Sequence, residues 1–298
     1  MNTTATPMQD EGPIIRALNL NDLERCLALS TESGWNQNEN DWRLLLRVCH
    51  GYGVDEPGYG LAATAMAWDL GDRQSWINMV LVGKSYRRLG FATKLMEKCH
   101  GDVSANQGVS LLDATSDGSN VYTKLGFSGE ISINRFYRDH KGSGDSENPD
   151  WDESICPVLM EPEDFRLVVE LDKQVLGVDR GKALIDFYLR EPKAAWIARE
   201  ASGALRGFIL GRDGRFATQL GPIVADSRAC ACALLRSALN RVEGPTIVDA
   251  PSIDSEWLEL LEQLGFENRR NFLRMGTEGA TWPTDWSRAY AIAGPDFA

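Results

Sequence analysis

The sequence contains no apolar run of 18 residues, which excludes an ordinary membrane-spanning helix. Its opening residues, MNTTATPMQDEGP, lack a basic stretch followed by an apolar one, so no secretory signal is legible and a cytoplasmic protein is the expectation. Histidine is scarce, at three (His50, His100, His140), and the six cysteines form no CxxC pair. Zinc sites need such paired spacing, so no metal is expected and the cysteines read as reduced core thiols. A surplus of positive charge is also missing. The formal net charge of −12 argues against a general nucleic-acid binder, though not against a local basic pocket for an anion.

What remains is an ordinary globular composition, 43% hydrophobic and 25% charged over 298 residues, enough for about two domains. Residues 141–150, KGSGDSENPD, are polar, rich in Gly and Ser and aperiodic, as a linker would be. They divide the chain into residues 1–140 and 151–298. Landmarks recur in order on the two sides. NDLE and EDFR each open an apolar-periodic helix, and MVLV and GPIV each end a strand, both pairs offset by 142 residues. LLDA and IVDA place Asp113 and Asp249 in register at an offset of 136, and the LGF tripeptides stand 139 apart. Four landmarks at near-constant spacing suggest two copies of one domain.

In the first copy Asn21 can cap a helix, a second helix is expected from Trp42 to Cys49, and strands are expected near residues 61–68 and 75–82 with LGDRQ between them. A helix through Ala92, Leu95, Met96 and Cys99 is expected to stop at Gly101, followed by the strand VSLLDA, a brief helix to Leu125 and a last strand near residues 131–137. Between the second strand and its helix lies GKSYRRLGFATKLM. From Gly83 to Lys98 it carries five basic residues and one acid, with glycine at Gly90 and the small Ala92. Small residues admit a ligand close to the backbone, and the helix that follows points its amides and positive dipole end at the loop. Such a unit suits a pyrophosphate. It is neither a Walker loop nor GxGxxG.

The spacing Arg87-x-x-Gly90-x-Ala92 resembles the (Q/R)xxGx(G/A) loop of the GCN5-related N-acetyltransferase (GNAT) superfamily, and DATSDGSNVYTKLGF resembles the family's next motif, which ends in Tyr-x-x-x-Gly-Phe. GWN, LDAT, GRDGRFATQLGPIVA and FLRM further resemble a bacterial two-domain branch. The resemblance implies an α+β fold of two tandem GNAT-like domains, each a mixed, mostly antiparallel sheet flanked by helices. It implies acetyl-CoA as the cofactor and coenzyme A as product. The cofactor would be held by Arg87, Arg88, Leu89, Gly90, Phe91, Ala92 and Thr93 in the loop, and by the backbone of Met79, Val80, Leu81 and Val82. Asn120 and Tyr122 would reach it from the next helix, with Tyr122 donating a proton to the leaving thiolate.

The base is less well marked. Asp113 could accept the amine's proton directly or through water, or could equally serve as a turn or cap residue; Asn78 could orient such a water. Trp35, Asn36 and Asp41, in GWNQNENDW, would meet a cationic amine unless that stretch is only a solvated connection. GYGVDEPGYG reads as a flexible turn able to gate it. The second copy replaces Tyr122 by Leu261, and its loop, VADSRACACALL, is shorter and has no glycine. The second domain is therefore expected to keep the fold, lose the cofactor and serve structure or substrate shape. The expected activity is acetyl transfer from acetyl-CoA to a primary amine of a small molecule by direct attack on the thioester. A non-catalytic acyl-CoA sensor, a protein or peptide N-acetyltransferase and an acyl-CoA decarboxylase stand as alternatives, and pairing as a homodimer is left open.

Overall fold

The computed structural model describes residues 14–139 except Pro57 and Tyr59, residues 155–280 and residues 284–298. The linker expected over residues 141–150 lies outside them. In the first half the elements run β1 (Ile15–Ala17), α1 (Leu23–Glu32), α2 (Glu39–Val48), β2 (His50–Glu56), β3 (Gly60–Gly71), β4 (Gln74–Val82), α3 (Phe91–Ala105), β5 (Val109–Thr115), α4 (Ser116–Lys124) and β6 (Ser128–Arg138). The second half follows with β7 (Val158–Leu159), α5 (Phe165–Leu176), α6 (Gly181–Arg190), β8 (Trp196–Arg199), β9 (Leu205–Arg212), β10 (Thr218–Ala225), α7 (Arg228–Leu239), β11 (Thr246–Pro251), α8 (Ser255–Gln263), β12 (Glu267–Gly276) and β13 (Ala289–Ala291).

Local chemistry accounts for most boundaries. Asn19, not Asn21, starts the first helical segment: its side chain accepts the Asn21 amide while Asp22 reaches back to the Asn19 amide, a reciprocal cap two residues earlier than expected. Asn38 and Asp41 make the same arrangement at α2, which therefore begins before Trp42. Asp72 and Arg73, at φ of 47° and 62°, turn β3 into β4 as a two-residue hairpin requires. Gly101 does not stop α3, because Val103 is still packed in the core and holds another turn onto the sheet. Nor is GYGVDE a mobile gate. It is strand β2, where a Cβ on Gly53 would meet Leu61 and Leu18 at 2.5 and 2.8 Å. Cys156 is exposed, unlike the other five free thiols.

Both LGF tripeptides are helix stops. Gly126 and Gly265 adopt φ of 87° and 83°. The amides of Phe127 and Phe266 bond back to the carbonyls of Tyr122 and Leu261 at 3.0 Å, and both phenylalanines are buried. The shared letters are structural; the residue that differs accepts the closing bond with its backbone and leaves its side chain free for another task.

The thirteen strands among the described residues form one sheet in the order β1-β2-β3-β4-β5-β12-β6-β11-β10-β9-β8-β7, with β13 on β10. Pairing is antiparallel except for β4–β5 and β10–β11. The last strands are exchanged: β12 of the second half pairs with β5, β6 of the first half pairs with β11, and β6 and β12 pair with each other. A buried ion pair sits at each crossing. Arg274 of β12 holds Asp113 of β5 at 2.8 and 2.9 Å, and Arg135 of β6 holds Asp249 of β11 at 2.7 Å through both nitrogens. The repeated aspartates of LLDA and IVDA are thus equivalent anchors. One apolar cluster also runs across the halves, joining Trp42, Trp76 and Met79 to Leu184, Phe187 and Phe297.

Candidate active site

β4 and β5 stay paired only from Gln74↔Val109 to Trp76↔Leu111 and then separate. The cause lies in β4. Its register to β3 slips between Asn78 and Leu81, Met79 takes a φ of 49°, and Thr64 Oγ1 donates to the Met79 carbonyl at 2.8 Å. A non-glycine residue there is strained by about 1–3 kcal/mol, an expense found where a site demands it. Over Met79, Val80, Leu81 and Val82 the edge facing β5 has no ladder partner, and a cleft of about 360 Å³ opens in the gap.

On the α3 side of the sheet the chain leaves β4 through a 3-10 turn, passes Arg88 at φ 68° and Gly90 at φ 82°, and enters α3. No side chain among the described residues caps this helix. Among the described residues the amides of Phe91, Ala92 and Thr93 have no acceptor, and a Cβ built on Gly90 would stand in open space. Arg87, Arg88 and Leu89 are exposed, and neither arginine forms an ion pair among the described residues. Free amides, a dipole end and a bare backbone fit a pyrophosphate-bearing thioester.

α4 starts on Thr115, whose hydroxyl accepts the Gly118 amide at 3.2 Å. Two turns on from Thr115, Tyr122 lines the cleft, with no hydrogen-bond partner for its hydroxyl among the described residues. Burial pushes its pKa up to about 12. Asn120 is exposed on the same helix and lies outside the cleft lining.

The opposite side of the cleft is polar and draws on both halves. Trp35 and Asn36 line it, but Asn36 spends its amide on the second half: Nδ2 donates to the Ala217 carbonyl at 2.9 Å while Oδ1 accepts the Phe216 and Ala217 amides. It positions Phe216, another lining residue. Asp41 is not in the lining. It is buried and held by Arg190 and Arg212 at 2.8 and 2.7 Å, so its charge is spent on joining the halves and not on a cationic amine. Asp113 does line the cleft, yet both its oxygens are occupied by Arg274, which removes it as a free base. Asn78 Nδ2 donates to the Asp296 carbonyl at 2.8 Å, and Asp296 Oδ2 accepts from Arg212 at 3.1 Å. Three residues of the lining each carry a buried oxygen with no partner among the described residues: Gln37 Oε1, Asn78 Oδ1 and Asp296 Oδ1.

Several lining residues escape sequence reasoning. Asp296 arrives from a tail 218 residues after Asn78. Arg269 and Arg270 are adjacent in β12, where strict alternation would send them to opposite faces, but a bulge between Asn268 and Arg270 leaves both lining the cleft. The RR pair in ENRRNFLRM was the available signal.

The equivalent gap in the second half is filled. β10 and β11 pair only at Thr218↔Thr246 and Gln219↔Ile247, after which β13 pairs with β10 at Ile223↔Ala291 and Val224↔Ala289. A Cβ on Gly221 would lie 2.1 Å from the Ile292 carbonyl oxygen. Ser227 caps α7 by accepting the Cys230 amide at 3.3 Å, Arg228 is tied to Asp254 and Glu256, and Leu261 is fully buried. No group of His, Cys, Asp and Glu able to hold a metal occurs among the described residues, and no described helix is long and apolar enough to cross a membrane.

Comparison with known proteins points to one family. Residues 19–127 match the acetyltransferase (GNAT) family, and residues 168–291 match an acetyltransferase (GNAT) domain. The chain is 25% identical to YitH, an uncharacterised N-acetyltransferase of Bacillus subtilis (strain 168), over 80% of this chain and 83% of that one. It is 24% identical to a holothin acyltransferase of Pseudoalteromonas sp. (strain SANK 73390), over 82% and 77%. Its fold resembles that of a Pyrococcus horikoshii protein assigned to the acetyltransferases, with a TM-score of 0.76 and 20% identity over the full length of both.

Proposed function

The chain belongs to the GNAT superfamily as a two-domain N-acetyltransferase, and from that premise we propose that its first domain moves an acetyl group from acetyl-CoA to a primary amine of a small molecule. The second domain completes the cleft and binds no cofactor. The observation that carries this reading is the pairing of an open β4–β5 gap with an uncapped α3 in one domain only.

Acetyl-CoA, when bound, supplies the activated acyl group and a thiolate leaving group. The amides of Phe91, Ala92 and Thr93 and the basic Arg87 and Arg88 receive its phosphates. The unpaired edge of Met79–Val82 directs backbone N–H groups at a developing oxyanion, which needs no particular side chain. Tyr122 holds its proton through the neutral range, because burial raises its pKa to about 12, and donates it toward the departing sulfur. On the far side Asn78 Oδ1 and Asp296 Oδ1 accept the N–H groups of the amine. An alkylamine is only about one part in 2,500 neutral at pH 7, so a free carboxylate oxygen beside it, directly or through water, takes the proton it must shed. That role goes to Asp296 and not to Asp113.

The deciding experiment pairs titration calorimetry with a thiol-release assay over a panel of amines. One acetyl-CoA per chain with amine-dependent thiol release is expected. Two equivalent sites would refute the asymmetry, and binding without amine-dependent release would make the protein an acyl-CoA sensor.

A further inference from the structure

The charges around the cleft can be matched one against another. Of its lining carboxylates, Asp113 is held by Arg274 and Asp296 by Arg212. Of its lining arginines, Arg135 is held by Asp249, and Arg269 shares Glu267 while its guanidinium lies 3.9 Å from the Tyr137 ring centre. Arg270 is left over. It lines the cleft, its guanidinium stands 5.3 Å from the Phe272 ring centre, and it has no ion-pair partner among the described residues. Its side chain is exposed at the rim of the cleft; partial burial and the like charge of Arg135 lower its pKa from the ordinary value, and the carboxylates of Asp117 and Asp249, neither of them bonded to it, offset only part of that.

Its position separates it from the thioester's phosphates. Leu273 and Met275 pack into the cluster that covers α3, whereas Arg274 faces the other way, onto Asp113. By strand alternation Phe272 and Arg270 share the face of Arg274, opposite the Gly90 loop. This is also the face that carries Asn78 and Asp296, the acceptors assigned to the amine. One unmatched cation calls for one negative charge, and a guanidinium presents the planar fork that suits a carboxylate.

We propose that the acceptor bears a carboxylate as well as its primary amine, as an amino acid does, and that Arg270 binds this carboxylate while Asn78 and Asp296 hold the amine. This inference rests on the amine-acetylating reading and names the substrate class within it.

The test uses primary amines in matched pairs differing only in carboxylate versus carboxamide. For the full-length protein, kcat/KM should favour the carboxylate member at least about tenfold, which corresponds to about 1.4 kcal/mol. Arg270→Gln should collapse that preference to within about twofold, and Arg270→Lys, retaining charge but not the fork, should restore part of it. Calorimetric binding of the same pairs to the acetyl-CoA-loaded protein supplies an independent readout. A binding preference that depends on Arg270 without turnover would support this inference while overturning the transferase reading. No preference in the wild type, or one that survives Arg270→Gln, would overturn the inference even with turnover intact.

Discussion

After β4 the chain turns through Gly90 into a helix whose first amides have no acceptor among the described residues; after β10 it turns through Ser227, whose hydroxyl takes one of those amides for itself. Beyond Trp76 the β4–β5 gap is open to ligand, whereas beyond Gln219 the β10–β11 gap holds the chain's own β13. Tyr122 faces the first gap, and Leu261 is sealed in the core of the second half. The same strand–turn–helix unit is thus left unsatisfied in one place and satisfied internally in the other. A binding site is the copy whose polar groups the fold does not consume.

The exchanged strands offer the most severe way to break the comparison. Arg274→Met would strand Asp113 as an unpaired buried carboxylate, a loss of about 3–5 kcal/mol by denaturant unfolding. Arg135→Met should cost less than this, since Gln219 Nε2 still donates to the remaining Asp249 at 3.1 Å and the vacated arginine site, 17% exposed against 2% for Arg274, can admit water. Equal losses would contradict the difference in burial.

Gly90→Ala should weaken acetyl-CoA binding about tenfold or more. A Cβ at φ 82° is strained by about 1–2 kcal/mol and occupies the space left for the ligand. Unaltered affinity in calorimetry would remove the loop from the cofactor site. Tyr122→Phe should lower turnover at least about tenfold with cofactor affinity little changed. Conversely, Ser227→Gly with Leu261→Tyr should create no second acetyl-CoA site, because β13 still fills the gap; a stoichiometry of two would show that the loop alone decides.

Ser227→Ala should cost about 1 kcal/mol of stability and leave acetyl-CoA affinity unchanged, since the cap serves only the helix. The smallest effect is on the pH profile. A phenol at its ordinary value near 10 would begin to lose its donating form above pH 9. With Tyr122 raised to about 12, the alkaline loss of turnover assigned to it should move up accordingly and be absent at pH 10. A limb centred near 10 would show the hydroxyl to be solvated.

The sequence was most informative where function and local folding use the same residues. The glycine-bearing loop is one such place; the LGF stops and the hairpin at Asp72–Arg73 are others. It misled where short segments read as loops: GYGVDE became a strand because its glycines admit Leu18 and Leu61 against the backbone. It misled again where a polar residue looked free, as with Asp41 and Asp113, because the arginines that hold them come from positions as distant as 190, 212 and 274.

By itself, then, the chain's order of residues determined that there are two copies of one unit and which copy keeps a glycine-bearing loop before its helix, because turn, cap and helix-stop chemistry acts over a few neighbours. Only the tertiary structure decided that each copy closes its sheet with the other's last strand, that β13 fills one gap, and that Asp296 and Arg270 reach the other. Strand exchange and ion pairing join residues more than 100 positions apart, and no spacing along the chain encodes which partner a buried charge will find.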